Sequence, residues 1–148
     1  MANVVLDSGP LGLLCYPRLR PDVIACRRWA HDLLAAGHRV FIAEIADYEV
    51  RRELLRLGRA RSIQELDNLA TWLEYLPLDT PIMRRAAELW AQARQTGQPT
   101  AGDNTIDADM ILIAQAESLN DPDTIIATTN VGHLTRFFPA EVWSNIVP

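Results

Sequence analysis

The stretch V-V-L-D-S-G-P at positions 4–10 decides how this chain folds. Its apolar part, V-V-L, is short and is followed by turn residues, a pattern typical of a buried β-strand. Asp7 therefore stands at the carboxyl end of a strand, the edge at which open α/β sheets bind ligands. A buried carboxylate needs a cation, an arginine or backbone N–H groups as a partner. Position alone leaves two interpretations open: Asp7 binds a ligand, or it caps the next turn or helix.

Helical and strand patterns alternate along the rest of the chain. Apolar spacing and stop signals predict helices over 22–36, 45–57, 62–76, 80–97 and 107–119. Short apolar runs predict strands over 39–42 and 124–128, with further short ones beginning at Leu78 and covering 142–147. Strands separated by helices imply an α/β fold, in which a central parallel sheet is flanked by α-helices on both faces.

Local signals mark several of these boundaries. Ser62-x-x-Glu65 has the form of a capping box and predicts a helix that opens there. Thr80-Pro81 supplies an N-cap and a first-turn proline for the next helix. The polar segment 98–105 is predicted to be a loop. Since no linker or repeat interrupts the pattern, residues 1–148 are expected to form one domain with a substantial core.

The composition excludes several classes of function. With 49% hydrophobic and 22% charged residues the chain is typical of globular proteins, and its net charge of −5 argues against a general nucleic-acid coat protein. No stretch has the length of a transmembrane helix or the form of a signal peptide, so a cytoplasmic location is expected. All 14 basic residues are arginine, which excludes mechanisms that need a lysine. Cys15 and Cys26 match no metal or redox spacing and are expected to be reduced, buried thiols.

The predicted helix over 45–57 offers a second carboxylate. Glu49 lies four residues after Ile45 and therefore shares the side of the helix on which that apolar residue lies. Other acids of the same segment compete with it for a ligand role: Glu44, Asp47 and Glu53.

The segment D-N-T-I-D-A-D-M-I-L-I-A-Q-A at 103–116 offers a third carboxylate. Asp109 precedes Ile113 and Ala116 by four and seven residues, so it shares their helix face. Asp107 points roughly 200° away from Asp109 if both are helical, and the two serve one metal only if the helix begins between them. An acid in a first turn also suits the helix dipole, which is the alternative interpretation of Asp107.

The segment T-T-N-V-G-H at 128–133 ends another predicted strand at the same sheet edge as Asp7. Asn130 can bind a metal through its amide oxygen or hold a water, or it forms a turn before Gly132. His133 is either a ligand or a packed or surface residue. Carboxylates gathered at this edge suit cations that prefer oxygen, so Mg²⁺ or Mn²⁺ is favoured over Zn²⁺. Two such ions about 3.5–4 Å apart can promote phosphodiester hydrolysis.

These motifs, in this order, resemble those of PIN-domain ribonucleases of the VapC toxin type. V-V-L-D-S-G-P-L is similar to the family's first strand with its metal-binding Asp and small hydroxyl residue. E-V-R-R-E-L at 49–54 resembles the E-L-x-x-G helix, and D-M-I-L-I-A-Q-A at 109–116 resembles D-A-L-I-A-A-T-A. A-T-T-N at 127–130 matches the T-x-N that follows the fourth strand. The resemblance covers essentially the whole chain, and the order and spacing of these short motifs carry it.

The resemblance implies a single PIN-like nuclease domain that hydrolyses RNA with Mg²⁺ or Mn²⁺ and leaves a 5′-phosphate. The residues that it assigns to catalysis are Asp7, Glu49, Asp109 and Asn130. The first three would bind the metal, with Asp107 as an additional candidate. Two hydroxyl residues would orient water or phosphate: Ser8 and Thr128. The resemblance also implies a homodimer that is silenced by a VapB-type antitoxin.

One position departs from the family pattern. Many members have T-x-N-x-x-D-F, whose Asp helps to hold a metal, and His133 occupies that place here. Asn130 or Asp107 would then substitute, or a second metal would bind only with substrate. The arginines of 51–61 either contact RNA phosphates, form a solvated face or bind an acidic partner.

Other proteins that gather acids at a parallel-sheet edge fit less well. Phospho-accepting receiver domains and haloacid-dehalogenase-like phosphatases both use a lysine, and the latter also need D-x-D where this chain has Asp7-Ser8-Gly9. The remaining alternative is a non-catalytic PIN-like module that binds RNA or protein without cleaving it. The histidine at position 133 favours that alternative.

Overall fold

Strands and helices alternate along the chain. The computed structural model describes residues 1–97 and 103–148, and of residues 103–106 the main chain alone. The strands in this part are β1 (Asn3–Leu6), β2 (Arg39–Ala43), β3 (Glu74–Leu76), β4 (Thr124–Thr128) and β5 (Ala140–Val142). The α-helices are α1 (Ser8–Leu14), α2 (Pro21–Ala35), α3 (Glu44–Arg56), α4 (Ala60–Leu69), α5 (Thr80–Gln95) and α6 (Asp103–Ser118).

The five strands form one parallel sheet in the order β3-β2-β1-β4-β5. The central strand, β1, is wholly buried, as its apolar run predicts. Crossovers between parallel strands are right-handed, so the reversal of direction after β3 places α5 and α6 on the face opposite α1–α4. The predicted α/β fold with a central parallel sheet is confirmed.

The order of the strands reverses between β1 and β4. The chain steps outward from β1 to β2 and β3, and then returns to pair β4 with the other side of β1, with Leu6 opposite Ala127. Connections therefore leave β1 and β4 in opposite directions and open a crevice at their carboxyl ends. A crevice of this kind is where open α/β sheets bind ligands.

Four boundaries of the middle segment differ from the prediction. Ser62 does not open a helix, because α4 begins earlier and buries it in the first turn, after an N-cap Arg59 that forms no side-chain cap bond. The helix ends at Leu69, and residues 74–76 form β3, which pairs with the exposed edge of β2. This long-range pairing leaves no strand at Leu78. The cap of α5 is Asp79, whose carboxylate accepts from the Ile82 N–H, so Thr80 is already helical.

The ends of the last two predicted segments also move. Helix α6 begins at Asp103, so 103–105 of the predicted loop is helical, while 98–102 lies outside the described residues. β5 ends at Val142, the one residue that it shares with the strand predicted for 142–147, because a 3₁₀ turn over Trp143–Asn145 follows it. Cys15 and Cys26 are buried and free, as predicted. Among the described helices, none combines the length and apolarity needed to cross a membrane.

Candidate functional site

A cavity of about 340 Å³ lies at the crevice between the ends of β1 and β4. Its walls come from four places that are distant in sequence: the start of α1, the middle of α3, the first turns of α6, and the loop after β4. Among the residues that line it are Asp7, Ser8, Glu49, Asp109, Thr128, Asn130 and His133. The structure thus brings together the three carboxylates that the sequence singles out as one candidate site.

Asp7 both caps a helix and lines the cavity. Helix α1 begins directly after it, where a turn was expected, and Asp7 Oδ1 accepts a hydrogen bond of 2.7 Å from the Ser8 N–H. Its other oxygen, Oδ2, accepts a bond of 2.9 Å from the Thr128 hydroxyl. The two interpretations left open by the sequence are therefore compatible, and the two bonds fix the orientation of the carboxylate.

Thr128 acts on Asp7 and has almost no exposed surface. Its side chain is 2% exposed, and its hydroxyl also lies 3.1 Å from the Asn130 carbonyl oxygen and accepts from the Asn130 N–H at 3.3 Å. A hydroxyl so enclosed has little room to bind water or phosphate, which is the role that the family resemblance implied for Thr128. Its contacts make it a residue that positions Asp7.

Gly9 allows α1 to lie against the loop after β4. A Cβ at this position would stand 2.5 Å from both Cγ2 and Oγ1 of Thr129, closer than atoms can approach without a shift. Glycine is therefore needed here for a close approach between two walls of the cavity. The sequence suggested only a turn glycine, because this contact joins segments 120 residues apart.

Glu49 is distinguished from its competitors by their contacts. Glu44 Oε1 accepts from the Leu78 N–H, and Asp47 is buried and bonded to Arg51 and to the Tyr75 hydroxyl. Those two acids therefore have structural partners. Glu53 is exposed and paired with Arg56, whereas Glu49 has no hydrogen bond to the residues that the structure describes and faces the cavity.

The placement of α3 depends on a buried amide. Gln115 of α6 is fully buried; its Oε1 accepts from the Ile45 N–H at 3.2 Å, and its Nε2 donates to the Leu76 carbonyl at 2.6 Å. These two bonds join the first turn of α3 to the end of β3. Glu49 follows Ile45 by one helical turn, so Gln115 fixes the height of Glu49 above the sheet. The sequence marks Gln115 only as part of the D-M-I-L-I-A-Q-A motif.

Asp109 and Asp107 lie on opposite sides of α6. Because the helix begins at Asp103, both residues are helical and point apart. Asp109 lines the cavity with Asp7, whereas Asp107 is exposed and lines a separate groove between α5 and α6 beside Trp90. The condition under which both could serve one metal is not met, and Asp107 is placed outside the candidate site.

The three carboxylates interact electrostatically. Burial, together with the charges of Asp7 and Asp109, raises the pKa of Glu49 to about 7, although Arg52 acts in the other direction. Burial and the charge of Asp7 raise the pKa of Asp109 to about 6. Desolvation and mutual repulsion both disfavour the fully ionised cluster. A cation in the cavity would relieve this repulsion.

The loop after β4 closes the cavity. Asn130 Oδ1 accepts from the Gly132 N–H at 3.0 Å, and Gly132 has a φ of +47°, which suits glycine. The turn interpretation of Asn130 is therefore satisfied, while its side chain also lines the cavity. The turn directs His133 back toward α6.

His133 meets Asp109 without forming a hydrogen bond to it. Its Nε2 lies 2.9 Å from Asp109 Oδ2, but the atoms are not aligned as donor and acceptor, and this nitrogen is buried without a hydrogen-bond partner in the described part of the chain. Burial and the nearby Arg136 lower the pKa of His133, which favours the neutral ring. A buried ring nitrogen without a hydrogen-bond partner among the described residues thus stands beside the acidic cavity.

The donor set fits a divalent cation. Carboxylate oxygens of Asp7, Glu49 and Asp109 are the ligands that Mg²⁺ and Mn²⁺ prefer, and burial together with the charge of Asp7 raises the pKa of the other two acids. Among the described residues, no three His, Cys, Asp or Glu side chains already stand together as a metal shell. Binding would therefore require side-chain movement toward the ion.

The arginine-rich segment is largely engaged within the chain. Arg51 bonds to Asp47 and Asp67, Arg56 pairs with Glu53, and the Arg52 guanidinium lies over the Tyr48 ring. Of these, Arg52 is the one that stands beside Glu49, since both line a shallow groove next to the cavity. The contacts favour a mainly structural role for Arg51.

Comparisons with known proteins agree with this fold. The model of the PIN domain family matches residues 5–132. No curated protein matches the sequence. A chain of VapBC2 from Rickettsia felis, bound to a DNA fragment from their promoter, is similar with a TM-score of 0.72 and 17% identity, over 95% of this chain and 98% of that one. For DNA-bound VapBC from Salmonella typhimurium the TM-score is 0.73 and the identity 18%, over 97% of this chain and 99% of that one. For FitAcB from Neisseria gonorrhoeae the TM-score is 0.68 and the identity 17%, over 97% of this chain and 99% of that one.

Proposed function

The chain belongs to the PIN domain family, and we propose that it is a divalent-metal-dependent endoribonuclease. PIN domains are generally nucleases and typically bind divalent metals. The observation that carries the proposal is the convergence of Asp7, Glu49 and Asp109 in one cavity at the point where the strand order reverses. RNA is the proposed substrate, and hydrolysis of its phosphodiester bonds is the proposed reaction.

Asp7, Glu49 and Asp109 are the proposed ligands of Mg²⁺ or Mn²⁺. When bound, such an ion supplies Lewis-acid activation of water and neutralises charge that develops on the phosphate. Asp7 is held for this role by the Ser8 N–H and the Thr128 hydroxyl, so its carboxylate does not turn freely. Glu49 and Asp109, whose pKa values are raised, would release their protons as the cation enters.

The remaining cavity residues have supporting roles in the proposal. Ser8 and Asn130 line the cavity and are placed to bind water or a phosphate oxygen. Thr128 positions Asp7 and does not itself meet the substrate, which revises the role expected from sequence. Asp107 is left out of the metal site because it lies on the other side of α6.

We also propose that this nuclease is the toxin of a VapBC-type pair. Similar solved structures are VapBC and FitAcB assemblies, and two of them contain DNA. By that likeness the chain would form a homodimer, bind a VapB-type antitoxin and act in the cytoplasm. The partner would silence cleavage while it is bound.

RNA cleavage with and without a chelator tests the enzymatic proposal. Purified protein is incubated with end-labelled single-stranded and hairpin RNAs, and with DNA of the same sequences, in Mg²⁺, in Mn²⁺ and in EDTA. We expect metal-dependent internal cleavage of RNA that leaves a 5′-phosphate. Asp7→Asn separates the charge of this residue from its capping role. Asparagine also caps helices, so the variant removes the charge while α1 keeps its cap.

The outcomes separate the enzyme from a binding module. Loss of metal-dependent cleavage in Asp7→Asn, with an unchanged melting temperature, supports a catalytic site. RNA binding without cleavage by the wild type under every metal condition would support the non-catalytic PIN-like module instead. For the toxin proposal, expression of the chain alone should arrest growth, and co-expression with the product of an adjacent antitoxin-like reading frame should restore it.

A further inference from the structure

The buried nitrogen of His133 is placed like a metal ligand. Its Nε2 and Asp109 Oδ2 are 2.9 Å apart, which is hydrogen-bond distance, but they lack hydrogen-bond alignment. Neighbouring donor atoms in an octahedral shell with bonds of about 2.1 Å stand about 3 Å apart. The separation fits either arrangement, and the lack of hydrogen-bond alignment favours two atoms directed at one ion.

Among the described residues around His133, none is another partner for this nitrogen. In the part of the chain that the structure describes, Nε2 is buried and makes no hydrogen bond. A buried polar atom without a partner is unfavourable by about 1–3 kcal/mol and needs an explanation. An ion bound by both His133 and Asp109 would explain this buried nitrogen, and the cavity that both residues line gives the ion room.

We propose that His133 binds, through Nε2, the same divalent metal ion as Asp109, and that this nitrogen makes the site prefer Mn²⁺ to Mg²⁺. The inference rests on the proposed metal site and adds a ligand to it. Mg²⁺ is a hard ion that keeps oxygen and water ligands, whereas transition-metal ions accept imidazole beside carboxylates. Replacement of one oxygen donor by nitrogen therefore shifts the selectivity of the cavity.

Pulsed electron paramagnetic resonance of the Mn²⁺-loaded protein tests the ligand directly. The chain has three histidines, so a nitrogen coupling to bound Mn²⁺ has few possible sources. We expect this coupling in the wild type, its loss in His133→Gln and its retention in His38→Gln. His38 is a suitable control because its ring is engaged with the Ala2 N–H and the Pro148 carbonyl at the far end of the sheet.

Calorimetric titration with each ion measures the selectivity. His133→Gln should weaken Mn²⁺ binding by about tenfold or more and change Mg²⁺ binding less. His133→Asp, which supplies oxygen, should bring the two affinities closer. Mn²⁺ bound to the wild type without nitrogen coupling would overturn the assignment of His133 and leave the carboxylate site standing. No binding of either ion to the wild type would overturn both proposals.

Discussion

The Thr128 hydroxyl donates a hydrogen bond of 2.9 Å to Asp7 Oδ2 and so joins the carboxyl ends of β4 and β1. These ends meet where the strand order reverses. The bond, together with the Ser8 N–H on the other oxygen, holds the Asp7 carboxylate before any ligand arrives. Outer partners of this kind tune metal affinity, because they orient the atoms that bind.

Thr128→Val should weaken Mn²⁺ binding by about tenfold, since valine keeps the shape of the side chain and removes the donor. Thr128→Ser should retain most of the affinity. Thr124→Val is the matched control: Thr124 is buried at the other end of β4, where its hydroxyl donates to the Asp121 carbonyl. Calorimetry should show normal Mn²⁺ binding for that variant, and equal effects of both valine substitutions would show that Thr128 acts only through stability.

Gly9→Ala should destabilise the protein by about 1–3 kcal/mol, because the new Cβ would overlap the Thr129 side chain and push the loop after β4 away from α1. Gly12→Ala in the same helix has open space around the new Cβ and should be neutral or stabilising by about 0.5–1 kcal/mol. Chemical denaturation measures both. Similar free energies of unfolding for the two variants would contradict the close contact between Gly9 and Thr129.

Glu49→Gln should raise the melting temperature of the metal-free protein at pH 7 by a few degrees. The pKa of Glu49 is about 7 in the folded state and near 4.5 without its surroundings, so between these values the folded state binds more protons than the unfolded state. This group therefore makes stability fall as pH rises from about 4.5 to 7. Glutamine at position 49 carries no charge, so the variant lacks this loss of stability.

Thermal unfolding from pH 4.5 to 8 in EDTA checks the sign. Asp109→Asn should behave like Glu49→Gln, since burial and Asp7 raise its pKa to about 6. Glu53→Gln is the control, because Arg56 lowers the pKa of that exposed acid. A steeper fall in stability with pH in Glu49→Gln than in the wild type would contradict the electrostatic account of the cavity.

Gln115→Met should lower the free energy of unfolding by roughly 3 kcal/mol. The change leaves the Ile45 N–H and the Leu76 carbonyl without their partner in a buried place. Gln64→Met, on the exposed surface of α4, should change stability little. If Gln115 fixes the position of α3, Gln115→Met should also weaken Mn²⁺ binding, because Glu49 lies one turn after Ile45 in this helix.

Much of this architecture follows from local sequence signals. The apolar runs of β1, β2 and β4 predict the parallel sheet and place Asp7 at its carboxyl edge. Helical spacing left three other acids as competitors of Glu49, so the choice of Glu49 rested on the family resemblance. β3 was not predicted, because two of its three residues are exposed and the segment becomes a strand through pairing with β2. Ser62 failed as a cap because α4 begins at Ala60, which places Ser62 inside the first turn of the helix.

The finer contacts of the site are the part that sequence does not supply. The approach of Gly9 to Thr129, the bond from Thr128 to Asp7 and the turn of His133 toward Asp109 each join segments far apart in the chain. Such contacts depend on the packing of whole elements and leave no local pattern. Whether Asp107 could join Asp109 at one metal also depended on a feature that sequence leaves open, namely the residue at which α6 begins.

The most direct test of the central claim compares two neighbouring aspartates of α6. Cleavage of single-stranded RNA in Mn²⁺ is measured for the wild type, Asp109→Asn and Asp107→Asn, all at equal folded concentration. The account predicts cleavage by the wild type and by Asp107→Asn, and a loss of at least about a hundredfold in Asp109→Asn, as expected when electrostatic stabilisation at a reacting centre is removed. Equal cleavage by Asp109→Asn and the wild type would contradict it.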